Sequence, residues 1–321
     1  MRLVEYPLGA ERLNEVHQSQ RRRLLGGLAA ASVIGVAGCA TRTPETAREA
    51  PRETTPPVRP RIGLALGGGA ARGFAHIGVL AALEEARVQP DIVVGTSAGS
   101  LVGALYASGL DAAQLKKIAL NTDESTFGEW SITSRALLRG RRIQDFVNRS
   151  IGGRPMETLP KRFAATATDL HDGRLLVLTT GDVGLAVRAS AAVPMIFDPV
   201  TIDGREYVDG GLASPVPVRA CRRLGAQFVI GVDISTSPKG QRTESLPDLL
   251  MQTFAIMGQH LALGELRDAD AVIRPAIGDR SAIDFRAREA VIAEGERAAR
   301  ANLPTILQAL ASWTPKRSEA S

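Results

Sequence analysis

"DIVVGTSAGSLVGALYASG", residues 91–109, runs from a short apolar stretch through a serine set between glycines into a second apolar stretch. Ile92-Val93-Val94, started by Pro90, suits a buried strand, and the run after Ser97, stopped by Gly109, suits a buried helix. A serine at such a junction sits on a tight turn that exposes its hydroxyl. The unpaired N–H groups at the helix start also favour negative charge beside it. Gly95-Thr96-Ser97-Ala98-Gly99 fits G-x-S-x-G, and Gly95 and Gly99 let backbone crowd around the turn without a Cβ in the way. The same position suits a plain helix N-cap, so the motif by itself leaves nucleophile and cap open.

Outward from this stretch, the chain from Arg61 alternates apolar runs with helical patterns. "RIGLALGGG" reads as a strand ending in glycines, and "RGFAHIGVLAALEEARV" as an amphipathic helix. "FAATATDL", "LLVLTTG", "QFVIGVDIS" and "DAVIRPAI" read as further strands, with helices over roughly 247–267 and 287–311. Strands alternating with helices predict a mainly parallel sheet covered on both faces, an α/β domain over 61–312 followed by a polar tail, 313–321. Ligands of such sheets collect beyond the carboxyl ends of the strands, where both glycine-rich turns, 67–73 and 95–99, fall.

The segment ahead of that domain reads differently. Arg21-Arg22-Arg23 precedes "LLGGLAAASVIGVAGC", a positive patch and a short apolar run ending in small residues, the pattern of an export signal over 1–38. Val36-Ala37-Gly38-Cys39 resembles the lipobox of bacterial lipoproteins, which implies cleavage before Cys39 and lipid attachment to its sulfur; an uncleaved anchor helix is the alternative. Residues 39–60, rich in Pro, Thr and alternating charge, are expected to form a disordered linker. This leader implies a lipid-anchored protein of the bacterial cell envelope, and Ala40 suits the outer membrane, facing the periplasm. A lipidated Cys39 leaves Cys221 without a disulfide partner.

The composition narrows the function classes. Aromatic residues make up only 4% of the chain, too few for base-stacking surfaces, and a net charge of +5 over 321 residues names no partner, so no nucleic-acid partner is expected. Gly67-Gly68-Gly69 points backbone amides into one concavity suited to an oxyanion or a phosphate. The dinucleotide fingerprint fails in both frames, because Arg72 or Ala70 stands where glycine is required, and the P-loop fails because Phe74 follows Gly73. No nucleotide cofactor is expected, and no His/Cys cluster of ligand spacing calls for a metal.

A serine nucleophile needs a base. Of the four histidines, His17 lies in the leader, His76 inside the first helix, His171 in a turn and His260 within a helix; none follows a terminal strand, where a triad histidine belongs. Asp209 in "GREYVDGGLASPVPV" is the better candidate, a carboxylate on a turn with Gly210-Gly211 beside it, although an Asp-Gly turn is common without any function.

"GGGAARG", "GTSAG", "DGG" and the intervening "RASAAVPMIFDPV", in this order over 61–235, resemble the patatin-like phospholipase family. The resemblance implies a single-domain α/β fold of that type and a Ser–Asp dyad that uses no histidine. It makes Ser97 the nucleophile and Asp209 the base, and gives the oxyanion hole to the loop at Gly68, Gly69 and Arg72. It implies a serine hydrolase of lipid esters, a phospholipase A, lysophospholipase or esterase, acting through an acyl-enzyme on membrane lipids. A non-catalytic lipid-binding lipoprotein and a lipid acyltransferase are the alternatives. One departure stands out: the family's loop usually reads G-G-G-x-R-G, and here Ala70 occupies the third glycine. Alanine resists positive φ, so the loop is expected to be reshaped there.

Overall fold

The computed structural model describes residues 3–6, 59–122, 136–138, 140–235, 237–239, 243–277 and 287–315. The chain divides into one unit of residues 1–7 with 59–321 and another of residues 8–58. The second unit lies outside the described residues, and with it the expected lipidation site Cys39 and nearly all of the linker.

Five strands form the parallel centre of the sheet. They are β2 (Ile62–Leu66), β3 (Ile92–Thr96), β5 (Arg162–Asp169), β10 (Phe228–Val232) and β11 (Ala271–Ile273), in the spatial order β5-β3-β2-β10-β11. Every residue of β2, β3 and β10 is buried, the signature of a sheet covered on both faces. The period of two sorts their side chains cleanly. Leu64, Leu66, Val93, Phe228 and Ile230 enter the larger core, which includes residues of α1 (Phe74–Glu85), α2 (Ala98–Ala107), α5 (Val183–Ser190) and α8 (Arg288–Ala311). Ala65, Ile92, Val94 and Val229 enter the smaller core, with residues of α6 (Val218–Arg223) and α7 (Leu246–Leu266).

Three further strands are antiparallel. β6 (Leu175–Leu178) and β9 (Arg205–Asp209) both pair with β5, and β8 (Val200–Ile202) pairs with β9. The β8–β9 hairpin turns through Asp203 and Gly204, with φ of 50° and 81°, the two positive values a two-residue hairpin turn demands. The helices α3 (Ala112–Asn121) and α4 (Arg141–Ser150) follow α2, and β4 (Ala136–Leu138) pairs with β7 (Met195–Phe197) in a separate two-stranded ribbon. The reading of residues 1–38 as an export leader did not foresee one element. β1 (Leu3–Tyr6) lies antiparallel along β6 and takes the sheet edge, so cleavage before Cys39 would remove a strand.

Candidate active site

Strand β5 acts as the ruler of the site. Thr96, the last residue of β3, pairs across Thr166 of β5, and the next β5 residue, Ala167, pairs with Asp209 at the end of β9. The parallel neighbour stops where the antiparallel neighbour arrives. Ser97 and Asp209, far apart in sequence, thus emerge side by side at the carboxyl edge of the sheet. A further backbone bond, from the Asp209 amide to the Ala192 carbonyl at 2.9 Å, holds the end of β9 in place.

Ser97 sits at φ 52°, ψ −120°, outside the regions a non-glycine residue prefers, and its side chain caps nothing. The strain is enforced by contact. A methyl on Gly95 would overlap the Gly99 carbonyl, and one on Gly99 would overlap the Leu66 carbonyl, so strand, turn and helix meet closer than any other residue permits. The cap alternative is thereby set aside, since the hydroxyl is not spent on the helix start. Two hydroxyls lock the elbow from behind: the Ser97 amide donates to Ser190 Oγ at 2.9 Å, and Ser100 Oγ donates to the Ser97 carbonyl at 2.6 Å.

Asp209 is buried, and its two oxygens are treated unequally. Oδ1 accepts the Gly211 amide at 2.7 Å, while Oδ2 is buried with no hydrogen-bond partner among the described residues. Burial pushes the carboxyl up to about 6, against the pull of the Ser97 hydroxyl and the Gly211 amide toward the charged form. An oxygen that is both basic and open beside a serine is poised to accept a proton.

The glycine loop needs correction. Gly68 is adjacent to the serine, since a Cβ on it would lie 3.3 Å from Ser97 Cβ. Its amide, however, donates to the Pro215 carbonyl at 3.0 Å, and the Arg72 amide donates to Gly69 O at 3.1 Å. Neither amide is free to receive an oxyanion. The Arg72 side chain is also turned away from the site: Nε donates to the Ile234 carbonyl at 2.9 Å, and burial lowers its pKa to about 10. The Gly69 amide makes no hydrogen bond among the described residues, and Ala98 opens α2, where first-turn amides have no intrahelical partner. Ala70 holds φ +48°, so the alanine takes the left-handed turn that glycine would take more cheaply.

His76 explains how that turn is held. Its Nε2 lies 2.8 Å from the Gly67 carbonyl, which can only accept, so the ring proton is on Nε2. Burial lowers its pKa to about 4, and the neutral ring works as a strut beneath the loop. His260 is exposed on α7, and His171 is an exposed turn residue 3.9 Å from Glu206. Cys221 is buried and unbridged.

Behind the site runs a polar chain that the sequence did not reveal. Thr96 Oγ1 donates to the Ser214 carbonyl at 2.8 Å and so receives the Thr166 hydroxyl at 2.6 Å. Ser214 Oγ in turn lies 2.8 Å from both oxygens of Glu265, a buried carboxyl near the end of α7 whose pKa burial raises to about 7. Ser190 carried a signal, since it lies in the "RASAAVP" segment. Glu265 carried one too, as the charge that ends the uncharged run from Leu249 to Gly264.

Comparison with known proteins bears on the family and the fold. Residues 64–222 match the family model of the patatin-like phospholipases, a stretch that spans the glycine loop, the elbow and the Asp209 turn. An uncharacterized NTE family protein of Mycobacterium bovis is 35% identical over 192 residues, covering 59% of this chain and 53% of that protein. The chain thus spans about half the length of this relative. Lysophospholipase NTE1 of Coccidioides immitis is 32% identical over 179 residues, 54% of this chain but 11% of its own length. Among solved structures, VipD from Legionella pneumophila shares the fold, with a TM-score of 0.51 at 14% identity over 76% of this chain and 67% of that one. The chain belongs to the patatin-like phospholipase family.

Proposed function

We propose that this protein is a serine acyl hydrolase acting on lipid esters through a Ser97–Asp209 dyad. The observation that carries the reading is the pairing of a strained, uncapped serine with a buried carboxylate whose second oxygen is open. Asp209 Oδ2 takes the Ser97 proton as Oγ bonds to the ester carbonyl carbon. The carbonyl oxygen, now negative, is met by the amides of Gly69 and Ala98 rather than those of Gly68 and Arg72. The tetrahedral adduct collapses, the C–O bond to the alcohol breaks, and Asp209 returns the proton to the departing alkoxide. Water then attacks the acyl-enzyme, giving one proton to Asp209, and the fatty acid leaves as the proton passes back to Ser97.

Family membership and the lysophospholipase among the relatives support phospholipids and lysophospholipids as substrates. The leader supports an envelope location with a lipid anchor at Cys39. A purely lipid-binding role is the weaker reading, because a binding pocket gains nothing from an unsatisfied buried carboxylate that costs stability. Fluorophosphonate labelling and fatty-acid release are measured on wild type, Ser97→Ala and Asp209→Asn. Labelling and release that vanish in Ser97→Ala and fall sharply in Asp209→Asn support the dyad. A folded wild type that neither labels nor releases fatty acid from phospholipid or lysophospholipid rejects it.

A further inference from the structure

Helix α7 breaks the rule by which surface helices keep one charged face. From Leu249 to Gly264 it carries no Asp, Glu, Lys or Arg. Its inner side is fixed to the protein by Ala262 and Leu266 in the smaller core and by Glu265 on Ser214. Its outer side, which water should meet, presents Leu246, Leu249, Ile256, Met257, Leu261 and Leu263, with Leu246 81% and Met257 52% exposed. Seven of the eleven exposed large hydrophobic residues among the described residues belong to this one helix. No described helix is long and apolar enough to cross a membrane, so α7 is suited to lying on an apolar surface rather than spanning one.

We propose that the outer face of α7 docks into a lipid surface and brings the Ser97 site to its substrate. The inference rests on the lipid hydrolase reading for its purpose, and on the exposed face for its physics. Its position fits. The helix end next to this face carries Glu265, whose partner Ser214 accepts from Thr96, the residue before the nucleophile. The helix thus lies two side-chain contacts from Thr96, so a surface that holds α7 keeps the site close by. A second copy of the chain fits less well. A helix of 21 residues is roughly 30 Å long and 10 Å wide, so a face-to-face pair covers on the order of 600 Å², about half of what a stable interface buries. The face also lacks the Arg, Tyr and Trp anchors of protein interfaces. Without charge on that face, insertion is driven by apolar contact and is insensitive to salt.

The test uses the full chain in a Cys39→Ser background, where the buried Cys221 does not label. An environment-sensitive fluorophore is attached at Met257→Cys and, as a control on α3, at Lys117→Cys. Vesicles of phosphatidylcholine and phosphatidylglycerol are added, with and without a nitroxide-labelled lipid. A blue shift and nitroxide quenching at position 257, persisting in 1 M salt and missing at position 117, are expected. Equal responses at both positions, or a shift at 257 that follows protein concentration without vesicles, would overturn the docking surface, the latter in favour of a second copy. In parallel, Leu249→Ser/Ile256→Ser/Met257→Ser/Leu263→Ser is assayed on vesicle lipid and on a soluble short-chain ester. Turnover of vesicle lipid should fall ~10-fold while the soluble ester changes less than ~2-fold. Equal loss on both substrates, or on neither, counts against the inference. Insertion at 257 in a protein without any esterase activity would sink the hydrolase reading and leave the docking surface standing.

Discussion

Two buried carboxyls flank the β3–elbow junction, Asp209 beside Ser97 and Glu265 one residue further off, through Ser214, and their hydrogen bonding differs. Asp209 and Glu265 are both pushed up by burial, to about 6 and about 7. Asp209 keeps one oxygen without a hydrogen-bond partner among the described residues, whereas both oxygens of Glu265 lie 2.8 Å from a single hydroxyl, that of Ser214. A raised pKa is common to buried acids of either kind. What separates a base from a strut is where the lone pairs point.

The sharpest way to break this comparison is to neutralise each acid in turn. Asp209→Asn removes the proposed proton acceptor while keeping shape, and kcat should fall by about 10³-fold, with Ser97→Ala lower still. Glu265→Gln should leave kcat within about threefold, because the amide can still donate to Ser214 Oγ and accept from the Val216 amide that Glu265 now engages. Steady-state kinetics on one soluble ester checks all three. A Glu265→Gln variant as dead as Asp209→Asn would erase the distinction.

The same pair separates in stability against pH. Each folded pKa lies above its unfolded value, so each group stabilises the fold at low pH, and that contribution is lost as pH rises through the folded value. For Asp209 the window runs from 3.8 to about 6, and for Glu265 from 4.5 to about 7, each worth ~3 kcal/mol. Denaturant unfolding at pH 8 should therefore show both neutral variants more stable than wild type, with the gain gone at pH 4. Asp209→Asn would then gain stability as it loses activity, the trade expected where a site holds a strained or poorly solvated group. The rate itself should track the ionised form of Asp209. On a soluble ester kcat/KM should rise about tenfold per pH unit below 6 and level off above it. A plateau reaching down to pH 4 would remove Asp209 as the base.

The sequence carried the parts of this site that depend on residue type and hid those that depend on backbone partners. G-x-S-x-G after Ile92-Val93-Val94 placed Ser97 on its elbow, and the buried runs of β2, β3 and β10 placed the sheet. Asp209 was legible as a carboxylate beside glycines, but its place next to Ser97 comes from the β8–β9 hairpin and the register on β5. The Asp203-Gly204 pair between "VTI" and "REYV" was a readable hairpin signal, hidden by its short flanking strands. The oxyanion assignment went astray at Gly68 and Arg72 because an amide's partner is a carbonyl, and every residue has one. Pro215 and Gly69 supply those carbonyls, and neither can be read from a motif.

Ala70 gives the smallest and most local test. At φ +48° its Cβ crowds the backbone, a conformation costing an alanine about 1 kcal/mol relative to glycine. The loop keeps the turn anyway because Val232, Pro215 and Ile234 accept from Gly67, Gly68 and Arg72, and because His76 holds the Gly67 carbonyl. Ala70→Gly should thus stabilise the fold by up to about 1 kcal/mol, less whatever the freer unfolded chain takes back, and leave kcat within about twofold. His76→Phe should act the other way: with no N–H to meet the Gly67 carbonyl, the loop loosens, and kcat should fall more than KM rises because the proposed oxyanion amides would stabilise only the transition state. Combining the two tells whether strain or support fixes the amides. If Ala70→Gly restores part of the rate lost in His76→Phe, the loop's own preference is the limiting factor; if it lowers the rate further, the alanine's stiffness helps to hold the amides in place.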